Sequence, residues 1–164
     1  MADTGAHHQD RDAEFLRRAF AAAKRATERG DKPFGAVLVA ANGQVLAEGG
    51  NTEQSQRDIT GHAETNILRE AWQNSSAEEL AEATMYASCE PCAMCAGAIY
   101  WSGVGRVVFG VSGKRVRLLS PRFAGSPALQ LSCHDVLAAG TRPTEVIGPF
   151  LEDEAERVIA DAVW

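Results

Sequence analysis

Between residues 11 and 29 the apolar side chains Phe15, Leu16, Ala19, Phe20, Ala23 and Ala26 recur on one face of a 3.6-residue repeat, and Gly30 follows as a C-cap. The pattern predicts a first helix there. Two apolar runs at 34–40 and 44–48 flank Asn42-Gly43, the pair that most favours a two-residue hairpin, and predict the first two strands. A polar stretch over 51–61 then leads into a helix over about 62–72 that buries Ile67, Leu68 and Ala71. Residues 84–88 predict a short buried strand. Pro91 suits a first helical turn, so a helix over 92–101 is expected, ending at Gly103. The β-branched run at 106–111 predicts a further strand. Strand, helix and strand within about 30 residues form a βαβ unit with a right-handed crossover. Residues 112–130, rich in Ser, Gly, Pro and Arg, carry the weakest pattern. A strand at 128–131, a helical turn near Val136, a strand at 144–147 and a terminal helix over 151–163 complete the expectation. Residues 1–12 show no periodicity and are expected as a disordered leader to a single domain over 13–164. The class is a three-layer α/β domain in which a hairpin feeds a mixed sheet.

Composition narrows the setting. A chain of 164 residues, 45% hydrophobic, can bury one ordinary core. No apolar run approaches the length of a membrane span, and the polar start does not resemble a signal peptide, so a cytoplasmic protein is expected. Three of the four cysteines crowd at Cys89, Cys92 and Cys95, which fits a reducing compartment and metal chemistry better than a disulfide framework. A net charge of −6 argues against a large polyphosphate partner, because nucleic-acid affinity comes from clustered Lys and Arg.

The candidate chemistry lies in two segments, His62-Ala63-Glu64 and Pro91-Cys92-Ala93-Met94-Cys95. His62, Cys92 and Cys95 supply three metal ligands, the number a catalytic zinc site uses when its fourth position is left for water. The pairing of His-x-Glu with Pro-Cys-x-x-Cys is the known signature of zinc-dependent base deaminases. In that chemistry zinc-bound hydroxide attacks the aminated ring carbon, and Glu64, which is not needed as a ligand, carries two protons in turn, one to the ring nitrogen and one to the departing ammonia. Residues two apart on a helix point about 200° from one another, so His62 and Glu64 can share a site only at the helix start. The spacing predicts an ion beyond the ends of two helices, where both N-termini favour thiolate.

Blander readings stand beside this one. Cys89 as a fourth ligand would close the site into a non-catalytic structural zinc module. Cys133 and His134 are expected to be a buried thiol and a surface imidazole. Trp72 and Met94 are expected in the core, and Tyr100 and Trp101 either in the core or in a dimer or pocket wall.

With these residues in view, the chain resembles the cytidine deaminase superfamily, in the branch holding guanine deaminases and tRNA adenosine deaminases. The likeness rests on Ser88-Cys89-Glu90-Pro91-Cys92-Ala93-Met94-Cys95, Gly97-Ala98-Ile99-Tyr100-Trp101 and Lys32-Pro33-Phe34-Gly35-Ala36-Val37, which are similar to the guanine deaminase form. Gly105-Arg106-Val107-Val108-Phe109-Gly110 is closer to the tRNA-editing form. The resemblance implies a cytidine deaminase-like α/β/α fold with a five-stranded mixed sheet, one Zn2+ per subunit and a homodimer. It further implies that Asn51 hydrogen-bonds the base, that Phe34 and His62 sandwich its ring, and that the backbone at Ala63 and Cys92 holds its polar edge. Trp164 would be an aromatic lid, and Trp101 a second aromatic at the substrate site.

Substrate choice follows from the departures. Residues 112–120 carry Lys114, Arg115 and Arg117 where guanine deaminases place acidic residues, so Glu152, Asp153 or Glu154 would have to read the purine's donor edge instead. The acidic terminal helix argues against RNA, with Arg115, Arg117 and Arg122 as the counterweight. The chain is most similar to small mycobacterial-type enzymes acting on s-triazines and guanine analogues. The expected reaction is hydrolytic deamination of a free guanine-like purine or an s-triazine such as ammeline. The alternatives are cytosine or cytidine deamination, tRNA adenosine deamination and the structural zinc module.

Overall fold

The computed structural model describes residues 4–163. In chain order the elements are α1 (Thr4–Glu28), β1 (Gly35–Val39), β2 (Val45–Gly50), α2 (Ala63–Asn74), α3 (Ala77–Glu82), β3 (Thr84–Cys89), α4 (Ala93–Ser102), β4 (Arg106–Val111), α5 (Gly113–Leu119), α6 (Pro121–Ala124), α7 (Cys133–Ala138), β5 (Glu145–Ile147) and α8 (Glu152–Ala160). The sheet order is β2-β1-β3-β4-β5. β1 runs antiparallel to β2 and β3, whereas β3, β4 and β5 are parallel, as the βαβ pattern requires.

Alternation along the strands splits the core between two faces of the sheet. On one, Leu38, Met85, Ala87 and Val107 pack with Ile67 and Leu68 of α2, Ile99 of α4 and Leu137 of α7. On the other, Val37, Val39, Tyr86 and Val108 pack with Phe15, Leu16 and Phe20 of α1 and Val158 and Ile159 of α8. This is the five-stranded, three-layer fold expected. Helix α1 crosses β1 so closely that a Cβ on Gly35 would lie 2.3 Å from the Ala19 carbonyl oxygen. Among the described residues no helix is long and apolar enough to cross a membrane.

Several expectations are corrected. The leader expected over 1–12 is helical from Thr4 onward, while residues 1–3 lie outside those described. Asp12 is buried in an ion pair with Arg106, a partner 94 residues away that periodicity cannot reveal. The hairpin loop has three residues rather than two, because Ala40 N–H bonds the Gln44 carbonyl and Gly43 takes the positive φ of +92°. Residues 128–131 form no strand. Trp72 and Met94, expected in the core, are exposed.

Candidate metal and base site

The sheet topology gathers the site at one end. Gly35 pairs with Gly50, Ala36 with Ala87, and Cys89 with Val111. Phe34, Asn51, the Glu90-Pro91-Cys92 corner and Ser112 therefore leave the sheet together. His62 is the N-cap of α2 and Cys92 the N-cap of α4, both with extended backbone and neither using its side chain as a cap. Their side chains are thus available to a ligand lying off the helix ends, where unpaired first-turn N–H groups concentrate positive potential. Gly103, with φ +87°, closes α4 in the left-handed conformation.

Nδ1 of His62 lies 3.6 Å from the Cys92 sulfur and 3.4 Å from the Cys95 sulfur, and the two sulfurs are 3.6 Å apart. A tetrahedral zinc with ordinary Zn–S and Zn–N bonds would require about 3.8 Å between sulfurs and about 3.6 Å from sulfur to nitrogen. The triangle fits that face within a few tenths of an ångström. Among the described residues these three alone form such a group; Cys89 is outside it, its sulfur facing the Glu90 carbonyl. The fourth position that a structural module would fill has no protein ligand, which is the arrangement of a catalytic site.

Glu64, in the first turn of α2, is buried, with Oε2 3.5 Å from the Cys95 sulfur. Burial, the largest cause, raises its carboxyl above the ordinary range. Cys92 is lowered to about 4, first by its hydrogen bond with Cys95 and then by His62. The same contact, with burial, pushes Cys95 up. One thiol of the pair is therefore a ready thiolate.

Asn51, Phe34 and Ala63, which the resemblance assigns to the base, are neighbours of the His62 segment, through Glu53 in the first case and the Asn51 N–H to Phe34 carbonyl bond in the second. Asn51 is buried; its Oδ1 accepts the Glu53 N–H at 3.0 Å, so the carboxamide NH2 is the end left to donate. Phe34 packs against Phe123 of α6, with ring centres 5.6 Å apart and planes tilted by 42°. Ala63 is fully buried as the first residue of α2. Trp101 is not brought to the site: it is 81% exposed and lies nine residues along α4 from Cys92, about 13 Å of helix. Trp164 lies outside the described residues. Cys133 is buried and His134 exposed, as expected.

Sequence reasoning missed the groups that hold these parts. The buried Asp31 carboxylate accepts from Gln54 N–H, Ser55 N–H and the Ser55 hydroxyl, fixing the 51–61 loop. Ser88 Oγ accepts the Gly35 N–H. Lys32 Nζ donates to both Glu53 carboxylate oxygens at 2.8 Å, and Glu53 Oε2 lies 3.6 Å from His62 Nε2. Glu90 accepts the N–H of Gly113 at 2.9 Å and of Cys133 at 3.1 Å, capping α5 and α7 with one carboxylate. The acidic residue beside Pro91-Cys92 could have been flagged as a cap, whereas the others have no signal in local spacing.

Residues 9–111 match the family model for the cytidine and deoxycytidylate deaminase zinc-binding region. The chain belongs to this deaminase family. It is 38% identical over 146 residues to a Schizosaccharomyces pombe protein named "Probable cytosine deaminase", covering 89% of this chain and 88% of that one. It is 44% identical over 89 residues to a guanine deaminase of Bacillus subtilis, covering 54% and 56%. A solved structure from a study of A-to-I editing by tRNA:A34 deaminases matches with a TM-score of 0.67 and 30% identity, over 89% of this chain and 99% of that one. The deaminase is a zinc enzyme, and its family acts by hydrolysis on nucleobases.

Proposed function

We propose that the deaminase acts on a free aminated heterocycle of the guanine or s-triazine type, ammeline being one such substrate. The observation that carries the free-base reading is the state of the basic segment an RNA would need. Arg115 is committed to Glu156, and Arg117 to the carbonyls of Ser126 and Ala124. Glu156 offsets the charge of Arg115, so that cation would release few counterions to a polyphosphate, while the carbonyl bonds of Arg117 hold its guanidinium in place without neutralising it. The guanine deaminase likeness of the Ser88–Cys95 and Gly97–Trp101 motifs supports the purine or triazine type. Glu154, one of the carboxylates available to read a purine, is held by Arg17, leaving Glu152 and Asp153 for that role.

In this reading His62, Cys92 and Cys95 hold the zinc, which when bound makes water a nucleophile at neutral pH. Glu64 holds and moves the protons: its raised affinity for a proton suits a group that must take one from water and give it to the ring nitrogen, then take water's second proton and give it to the leaving amine. Asn51 donates its NH2 to an acceptor on the base, Phe34 stacks on the ring, and the Ala63 N–H meets its polar edge. Trp164 acts as an aromatic lid. Met94 and Trp101, exposed on α4 one helical face apart by seven residues, support a homodimer in which Trp101 approaches the partner's site. Four free cysteines suit a cytoplasmic setting.

Cytosine is the second reading, favoured by the nearly full-length similarity to the Schizosaccharomyces pombe protein. Ammonia release from guanine, ammeline, isoguanine, cytosine, cytidine, adenosine and a tRNA anticodon stem separates the readings. Turnover of guanine or ammeline supports the first, and cytosine alone the second. Activity on the RNA alone would overturn both.

A further inference from the structure

Glu53 stands where two parts of the site meet. Its backbone N–H holds Oδ1 of Asn51 at 3.0 Å. Its carboxylate is gripped by Lys32, with both oxygens 2.8 Å from Nζ, and one of those oxygens lies 3.6 Å from Nε2 of His62. Nδ1 on the same imidazole faces the Cys92 and Cys95 sulfurs. A neutral imidazole that offers its Nδ1 lone pair to a metal must carry its proton on Nε2, and that N–H needs an acceptor. The Glu53 carboxylate, 3.6 Å away, is the acceptor the structure offers near that nitrogen. At 3.6 Å the contact is longer than an N–H···O bond and would have to shorten by about half an ångström to become one; the carboxylate lies by Nε2 and the thiol pair by Nδ1.

We propose that Glu53, anchored by Lys32, is a positioning residue for the metal centre: it accepts the Nε2–H of His62, so that the ring presents Nδ1 to zinc, while its backbone aims Asn51. This rests on the reading of His62, Cys92 and Cys95 as the zinc ligands. Glu53 is not one of the three ligand side chains, and its effect on the metal would pass through the ring of His62. The Lys32 grip matters because an exposed glutamate would otherwise lose rotamer freedom to hold one orientation. With Glu53 17% exposed and Lys32 30%, the pair is partly sheltered from solvent.

The test is zinc affinity, measured by competition with a chromophoric chelator on the full chain. Glu53→Ala is expected to weaken zinc binding by about 10- to 100-fold, the range found when such outer partners of a ligating histidine are removed. Glu53→Gln keeps a carbonyl acceptor and is expected to lose less, and Lys32→Met is expected to fall between Glu53→Gln and wild type. Cobalt-substituted protein gives a second readout: a changed ligand-field spectrum in Glu53→Ala, returned toward the native one in Glu53→Gln. If Glu53 only tethers the loop, Glu53→Ala and Lys32→Met will lower the melting temperature of the metal-free protein equally and leave both zinc affinity and cobalt spectrum unchanged. That result overturns the inference. Cys95→Ser is the control for the underlying reading. If it binds zinc as tightly as wild type, the ligand assignment fails; if it loses zinc while Glu53→Ala does not, the role of Glu53 alone fails.

Discussion

Replacing Asp12 with alanine should destabilise the whole domain, although Asp12 lies within twelve residues of the chain start. Its carboxylate, 5% exposed, accepts two guanidinium bonds from Arg106 at 2.8 and 2.7 Å and the Tyr86 hydroxyl at 2.9 Å. Removing one partner of a buried pair strands the other, at a cost of about 3–5 kcal/mol. Here Arg106 keeps its bond to the more exposed Glu145, so the lower end, about 3 kcal/mol, is expected. For a domain of this size that corresponds to a fall in melting temperature of about 6–12 °C, read by calorimetry on metal-loaded protein. The same cluster has an alkaline signature. Burial, with Asp12 beside it, pushes the Tyr86 hydroxyl up to about 12. A group whose pKa is raised on folding stabilises the native state below its unfolded value and loses that contribution as pH rises toward the folded one. The stability advantage of wild type over Tyr86→Phe should therefore decline between pH of about 10 and about 12. A melting change below about 1 °C in Asp12→Ala would refute the reasoning, because it would mean that the start of α1 is not docked on the sheet.

Glu64→Gln should lower turnover by about 10²- to 10⁴-fold while zinc content stays near one per chain; loss of zinc would show that Glu64 is a ligand. In the metal-free protein, burial raises the Glu64 carboxyl, so its contribution to stability is present at acid pH and lost as pH rises past the usual carboxylate range. Glu64→Gln should then be the more stable apo-protein at neutral pH and lose that advantage near pH of about 4, as denaturant melts will report. Gly35→Ala drives a Cβ to within 2.4 Å of the Ala23 nitrogen and should cost at least about 3 kcal/mol, seen as loss of soluble protein; near-native expression would contradict the close approach of α1. Glu90→Ala removes the acceptor at two helix starts and should cost about 2 kcal/mol, with faster hydrogen exchange confined to the amides near Gly113 and Cys133.

The metal triangle was legible because its constraint is local. His-x-Glu can serve one ion only at a helix start and Cys-x-x-Cys only on one helix face, and both caps fall where the spacing put them. β1 to β4 were legible as short apolar and β-branched runs, and α4 from Pro91 and Gly103, whereas the run at 128–131 misled because it packs as loop. What escaped depends on partners remote in sequence. Asp12 looked like a leader residue because nothing near it signals Arg106. Trp72 looked like core because size and apolarity suggest burial, yet the buried face of α2 passes through Ala71 instead. Helix α3 was missed although Ser76 and Glu79 carry the start signal of a short helix, and Ser76 Oγ does accept the Glu79 N–H. Asn51 was found through resemblance, but the reason its NH2 is free to donate lies in the N–H of Glu53.

The double cap at Glu90 has a consequence for how such an enzyme can change. One carboxylate beside the metal corner fixes both ends of the excursion that carries α5 and α6, so the chain leaves and returns at fixed points set by the ligand loop. Between those points Val116 of α5 is buried in the face of the core shared with α1 and α8, and Phe123 of α6 rests against Phe34, so the excursion is held in its middle as well as at its ends. An exchange of this excursion between relatives should therefore carry its Val116 and Phe123 contacts with it, and a grafted protein that keeps its zinc affinity would show that the ligand corner stands independently of what is hung from it.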